Sequence, residues 1–183
     1  GNDTIYISTG FSSVIGGDGY DRVYITGTIG NTLNLATTGI EYISGGDGND
    51  NFDGSTQTVA LNIDGNAGSD VLRGGSYNDY LYGDEGNNTL YGNGGNDRIY
   101  AGSGNDVAYG GSGNDTINVG LGNNSVDGGD GNDSITTGAG NDVILGGAGN
   151  DNINVGTGVD YVSGGTGNDT IYISTGFSSV IGG

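Results

Sequence analysis

A nine-residue period constrains this chain more than any other feature. From Gly74 to Gly183 the sequence divides without a gap into units of the form G-G-x-G-N-D-x-U-x, where U is a large aliphatic. Gly110–Asn118 (GGSGNDTIN), Gly128–Thr136 (GGDGNDSIT) and Gly146–Asn154 (GGAGNDNIN) are the cleanest copies, and Val119–Asp127 and Thr137–Leu145 are weaker ones. The frame runs back through Gly16–Tyr24 and Gly45–Asp53. The stretches 25–44 and 54–73 are degenerate, and each carries two residues more than two units need. A unit of nine residues cannot bury an apolar face alone, so such units fold by stacking on one another. Residues 1–183 therefore read as one continuous stack, with irregular coils at 25–44 and 54–73.

A longer repeat lies above the first. Residues 1–17 read GNDTIYISTGFSSVIGG, and residues 167–183 repeat them letter for letter. The offset of 166 residues equals eighteen units plus the four inserted residues. If two units make one coil, a long period is nine whole coils and the next period resumes on the same face. At ~4.8 Å per coil, such a period would advance the stack by roughly 43 Å.

Composition removes several classes of function. The chain carries 22 acidic residues against three arginines, for a net charge of −19. Nucleic acid is not an expected partner, because binding it requires cations to neutralise phosphates. With no cysteine there is no disulfide framework, and no apolar run is long enough to span a bilayer as a helix. Glycine, 44 of 183 residues, is far above the usual share of about 7%. It does not recur every third residue and proline is absent, so collagen is excluded. Catalysis has little to stand on: there is no His or Cys, and the carboxylates are equivalent copies of one position.

Within x-U-x the aliphatic is flanked mostly by polar residues, which predicts a three-residue strand with one side chain inward. The inward set is Ile5, Val14, Val23, Phe52, Leu61, Leu72, Leu81, Leu90, Ile99, Ala108, Ile117, Val126, Ile135, Ile144, Ile153, Val162, Ile171 and Val180. One inward aliphatic per unit is a thin core against ~1–2 kcal/mol of backbone entropy per ordered residue. The six-residue G-G-x-G-N-D turn offers a second source of free energy. Its glycines permit positive φ, so carbonyls can converge, and its Asp adds a charged oxygen. Oxygen ligands without His or Cys select a hard cation, and Ca2+ accepts six to eight of them. Binding such an ion is then part of folding itself.

These units resemble the RTX (repeat-in-toxin) family, whose repeat is G-G-x-G-x-D-x-U-x, over nearly the whole chain. The resemblance implies an all-β, right-handed parallel β-roll (β-solenoid) with two units per coil of about 18 residues, and multiple Ca2+ ions on both edges. It further implies export by a type I-like one-step bacterial route and folding in external calcium. In the family the position-six Asp supplies a side-chain oxygen and turn carbonyls supply the rest. On one edge this implies Asp3, Asp21, Asp79, Asp97, Asp115, Asp133, Asp151 and Asp169. On the other it implies Asp50, Asp70, Asn88, Asp106, Asn124, Asp142 and Asp160, with Ser12 and Ser178 at the same position. The implied carbonyls include those of Gly110, Ser112, Gly128, Asp130, Gly146, Ala148, Gly164 and Thr166. The all-Asp edge is expected to bind calcium more tightly. Calcium gaps are expected where 25–44 and 54–62 lack the motif Asp, and Gln57 and Tyr77 replace the fourth glycine.

Tyr82 with Tyr100 and Tyr91 with Tyr109, each pair eighteen residues apart, should stack on opposite outer faces. Such ladders could also bundle fibres laterally or touch a cell surface or glycan. Asn at position five is accounted for by its tolerance of left-handed backbone. Position-three threonine occurs only at Thr9, Thr157, Thr166 and Thr175, too sparse for an ice-binding array. The expected function is a non-enzymatic, calcium-stabilised repeat of a long extracellular bacterial fibre, surface-layer or adhesin protein. Its partners would be copies of itself, joined end to end. The alternatives are an RTX secretion and folding module attached to a toxin or enzyme, or a glycan- or ice-binding module.

Overall fold

A computed structural model of the chain describes residues 1–8, 13–36, 38–176 and 179–183. Thr9, Ser12 and Ser178 fall outside that set. Among the described residues the regular structure is β-strand, in two parallel sheets. The first sheet stacks Thr4–Ile7, Arg22–Ile25, Tyr42–Ser44, Asn62–Asp64, Tyr80–Tyr82, Arg98–Tyr100, Thr116–Asn118, Ser134–Thr136, Asn152–Thr157 and Thr170–Thr175. The second stacks Thr32–Asn34, Asn51–Asp53, Val71–Arg73, Thr89–Gly94, Val107–Ser112, Ser125–Asp130, Val143–Ala148, Tyr161–Thr166 and Ser179–Ile181. From Arg22–Ile25 onward the chain alternates between the sheets, so two units close one coil of a parallel β-roll. From Asn62 onward each strand pairs with the strand 18 residues later, as Ile99 does with Ile117 and Ala108 with Val126. Thr4–Ile7 and Thr170–Thr175 belong to the same sheet, nine steps apart. The long period thus spans nine coils and returns to the face on which it began.

Alternation along each strand carries the core. Position eight points inward, position nine outward, and position one of the next unit inward again. The core accordingly has a second column that the one-aliphatic-per-unit reading missed: Ile25, Leu35, Ala101, Val119 and Val155 at position one are all buried. Elsewhere position one is mostly glycine, which hides the column from a hydrophobicity pattern.

The degenerate stretches shift the frame. Val23 pairs with Ile43 and Phe52 with Leu72, both at offsets of 20, and Leu33 pairs with Phe52 at 19. Ile63, not Leu61, occupies the strand's inward position, between Ile43 and Leu81. Leu61 is buried one register step earlier, at the position-six place of its coil. Val180, expected inward, is 43% exposed, and Ile5 and Ile171 are only partly buried. All three lie in the first or last coil, with a neighbouring coil on one side only.

Position-five asparagines do not take left-handed backbone. Positive φ falls on glycines at positions two and four, such as Gly111 (110°) and Gly113 (126°). The non-glycine cases, Asn66, Asp84 and Asn93, all stand at position two. Position-five Asn instead bridges coils: Asn96 Oδ1 accepts the Asn114 N–H at 2.7 Å, and Asn114 Oδ1 accepts that of Asn132 at 2.7 Å. The tyrosine ladders stack on both faces, Tyr82 on Tyr100 at 5.3 Å and Tyr91 on Tyr109 at 5.0 Å between ring centroids.

Candidate metal centre

Position six is where each turn re-enters a strand, and the same alternation that buries position eight turns its side chain inward. Asp21, Asp50, Asp70, Asp79, Asp97, Asp106, Asp115, Asp133, Asp142, Asp151 and Asp160 are buried, as are Asn88 and Asn124. Asp169 is half-buried and Asp3 is exposed. These side chains form one axial column on each edge of the roll.

Each rung is tied to the next by its own backbone. On the edge leading into the first sheet, the Asp79 N–H donates to Asp97 Oδ1, Asp97 to Asp115, Asp115 to Asp133, and Asp133 to Asp151, at 2.7–2.9 Å. Asp151 donates in the same way to Asp169 at 3.0 Å, and Asp3 to Asp21 at 2.7 Å. On the edge leading into the second sheet the series runs from Asp50 to Asp70, Asn88, Asp106, Asn124, Asp142 and Asp160 at 2.7–2.9 Å.

The second carboxylate oxygen is left over. Oδ2 of Asp21, Asp97, Asp115, Asp133, Asp151 and Asp169 on the first edge, and of Asp70, Asp106 and Asp142 on the second, is shielded from solvent without a hydrogen-bond partner. Glycine at position one keeps the space beside this oxygen open at all of these rungs but Asp106 and Asp142, where Ala101 and Thr137 stand and the Thr137 hydroxyl reaches the Asp142 carboxylate. A β-carbon on Gly110 would collide with Asp115 Oδ2 and with the carbonyl oxygen of Gly128, one coil further on. The same holds at Gly92 for Asp97 and Gly110, at Gly128 for Asp133 and Gly146, and at Gly146 for Asp151 and Gly164. Carboxylate and carbonyl oxygens thus converge on one small buried space with no donor between them. Buried acceptors in that arrangement cost ~1–3 kcal/mol each, and more when charged. The remedy is a cation or a proton.

Burial pushes these carboxyls upward: Asp97 and Asp133 to about 7, and Asp70, Asp79 and Asp106 to about 6. The N–H donated from the preceding coil partly offsets the desolvation, and neighbouring charges in the column add to it at Asp70, Asp97 and Asp133. Asp50 and Asp79 differ from the rest, because Oδ2 accepts the N–H of Gly46 (3.2 Å) and of Gly75 (2.6 Å) respectively.

Of the carbonyls expected as ligands, those of Gly110, Gly128, Gly146 and Gly164 line this space. Those of Ser112, Asp130, Ala148 and Thr166 instead accept the N–H of Gly95, Gly113, Gly131 and Gly149 at 2.7–2.9 Å. Each keeps a second lone pair. Among the described residues no three carboxylates converge on a common point, because the columns run along the axis. A cation here must draw on backbone oxygen as well as Asp. An all-oxygen set of one charged and several neutral donors suits Ca2+. Bound there, the ion supplies the positive charge that the buried carboxylates lack.

The model of the RTX calcium-binding nonapeptide repeat matches residues 35–57, 64–99, 91–126, 120–153, 127–162 and 154–172. The chain belongs to this family. Its RTX units are calcium-binding repeats, and the roll they build is a structural fold rather than an enzymatic one. A comparison with characterised protein sequences gives no significant match.

Three position-six residues escaped the sequence pattern. Glu41 holds that place in the coil after Asp21, with Oε2 accepting the Asp21 N–H at 2.8 Å, so 25–44 does contribute a carboxylate. Asn31 holds it on the other edge, donating its N–H to Asp50 Oδ1 at 2.6 Å. Leu61 donates to Asp79 Oδ1 at 2.7 Å and puts an apolar side chain into the column. Gln57 does not replace a fourth glycine: its carbonyl accepts the Ser76 N–H, as that of Gly102, at position two, accepts the Leu121 N–H. Only the strand register reveals these places, because inserted residues break the spacing on which the motif depends.

Proposed function

We propose that this RTX roll is a calcium-stabilised structural repeat of a long extracellular bacterial protein, a fibre, surface layer or adhesin stalk, that folds as Ca2+ binds outside the cell. The observation that carries this reading is the identity of residues 1–17 and 167–183 combined with their placement in the same sheet. Thr4–Ile7 receives Arg22–Ile25 with Ile5 against Val23 and Tyr6 against Tyr24. Thr170–Ile173 has the same sequence and offers the same surface to another copy of that coil. Repeats of this kind lengthen a solenoid without changing its cross-section, and stability grows as a sum over neighbouring coils.

The expected partner is therefore another period, end to end, with the tyrosine ladders available for lateral contact or for a glycan. RTX repeats are typical of secreted bacterial proteins, which fits folding in the calcium-rich exterior. Among the described residues no helix is long and apolar enough to cross a membrane. The roll is read as non-catalytic. Electron microscopy of the purified chain, with and without calcium, tests the proposal. Rods with a cross-section independent of length support it; compact monomers at every calcium and protein concentration contradict the end-to-end reading.

A further inference from the structure

On the first edge every position-six residue from Asp79 to Asp169 is an aspartate, whereas on the second Asn88 and Asn124 interrupt the column. Asn88 occupies the geometry of an aspartate rung. Its Oδ1 accepts the Asp70 N–H at 2.9 Å, as Asp115 Oδ1 accepts that of Asp97. A β-carbon on Gly83 would crowd Asn88 Nδ2 and the Ala101 carbonyl oxygen, as one on Gly110 would crowd Asp115 Oδ2 and the Gly128 carbonyl. The difference lies in the atom. Asn88 Nδ2 donates to Ala101 O at 3.3 Å, so the space that holds facing acceptors on the first edge is closed here by a hydrogen bond. The amide orientation is fixed from both sides, because a flip would set Nδ2 against the Asp70 N–H and Oδ1 against the Ala101 carbonyl.

We propose that Asn88 stands in for the cation: its amide satisfies the carbonyl that calcium satisfies on the first edge, and the rung needs no metal. Asn124 closes its rung by a different bond, within its own turn. Its Nδ2 donates to Gly122 O at 3.1 Å, and Val119, fully buried at position one, fills the space that glycine leaves open at Gly110. Position one is also side-chain-bearing at Ala101, Thr137 and Val155, all buried on this second edge. The roll is then stapled unequally, by a continuous ion column on one edge and by amides and packing at interrupted points on the other. This rests on the calcium reading of the first edge.

The test is a reciprocal exchange in the full chain, Asn88→Asp and Asp115→Asn. Bound calcium per chain is counted by elemental analysis after desalting from calcium buffer, with folding followed by circular dichroism. Asn88→Asp rebuilds the Gly110–Asp115–Gly128 arrangement and should bind one ion more than wild type; Asp115→Asn should bind one fewer and stay folded. A calcium-loaded wild type whose count is unchanged by Asn88→Asp overturns this inference alone. A wild type that binds no calcium overturns the proposed function with it. Anomalous scattering from wild-type crystals gives an answer independent of either variant: density between Asp115 and Gly128 with none between Asn88 and Ala101 is expected, and density at both contradicts the proposal.

Discussion

The Asp115 N–H donates to Asp133 Oδ1 at 2.8 Å, so the side chain that brings the charge also carries a backbone hydrogen bond between coils. The two roles separate by substitution. Asp133→Asn keeps the acceptor and removes the charge. It should retain more β structure than wild type in chelator and need more calcium than wild type for full stability. Asp133→Ala also leaves the Asp115 N–H buried and unsatisfied, so in calcium it should fall about 1–3 kcal/mol below Asp133→Asn in denaturant unfolding. Equal β structure of Asp133→Asn and wild type in chelator would show that the unpaired charge is not what limits the metal-free roll.

Protons should substitute for calcium. The folded-state values of Asp97 and Asp133 are raised to about 7, and those of Asp70, Asp79 and Asp106 to about 6, by burial. In unfolded chain a carboxyl titrates near 3.9. Between these values the folded roll holds more protons than the unfolded chain, so stability falls as pH rises. The contribution is fully present below about pH 4 and is lost as pH climbs through 6 to 7. In chelator, acidification from pH 7.5 to 4.5 should increase β structure measured by circular dichroism. At a fixed limiting calcium concentration, the same change should lower the number of ions bound per folded chain, because protons compete for Oδ2.

Glycine is required at some turn positions and dispensable at others. Gly131 sits at φ 137°, and a β-carbon there would overlap the Gly113 carbonyl oxygen. Gly94, at position three, has ordinary φ and meets only the Ser112 hydroxyl at 3.3 Å and Ser76 Cα at 3.8 Å. Gly131→Ala should therefore lower the urea midpoint by the equivalent of about 3 kcal/mol or more, combining strain and collision. Gly94→Ala should stay within ~0.5 kcal/mol of wild type.

Core deletions should be costly at either inward column. Ile135 at position eight and Val119 at position one are both essentially inaccessible to solvent. Ile135→Ala should cost roughly 2–5 kcal/mol, and Val119→Ala somewhat less in proportion to the smaller cavity. A solvent-facing position-nine change such as Asn154→Ala should be near neutral by the same unfolding assay.

The strand at x-U-x and the two-unit coil were legible because position eight repeats without interruption from Leu81 to Val162. Position one was not, since glycine there reads as turn chemistry while Ala101, Val119 and Val155 at the same place read as exceptions. Asn96 and Asn114 were assigned to turn conformation when their work is to accept an N–H from the coil above, a relation between residues eighteen apart that composition does not display. Nine-residue counting passes through the inserted residues unchanged and so puts Leu61 in a strand; pairing of Ile63 with Ile43 and Leu81 fixes the true frame. The metal column was legible as residues but not as geometry. That Asp115 points inward, and that its free oxygen faces a carbonyl, follows from alternation plus the stacking of one coil on the next.

The proposed dependence of this roll on calcium rests on its buried Asp oxygens, and a calcium titration of the chelator-treated chain followed by far-ultraviolet circular dichroism is its sharpest check. A disordered spectrum is expected at neutral pH in chelator, with a cooperative change to β structure at about 0.1–1 mM calcium, the range of extracellular modules. A β spectrum that persists in chelator at pH 7.5 and does not respond to calcium would contradict it.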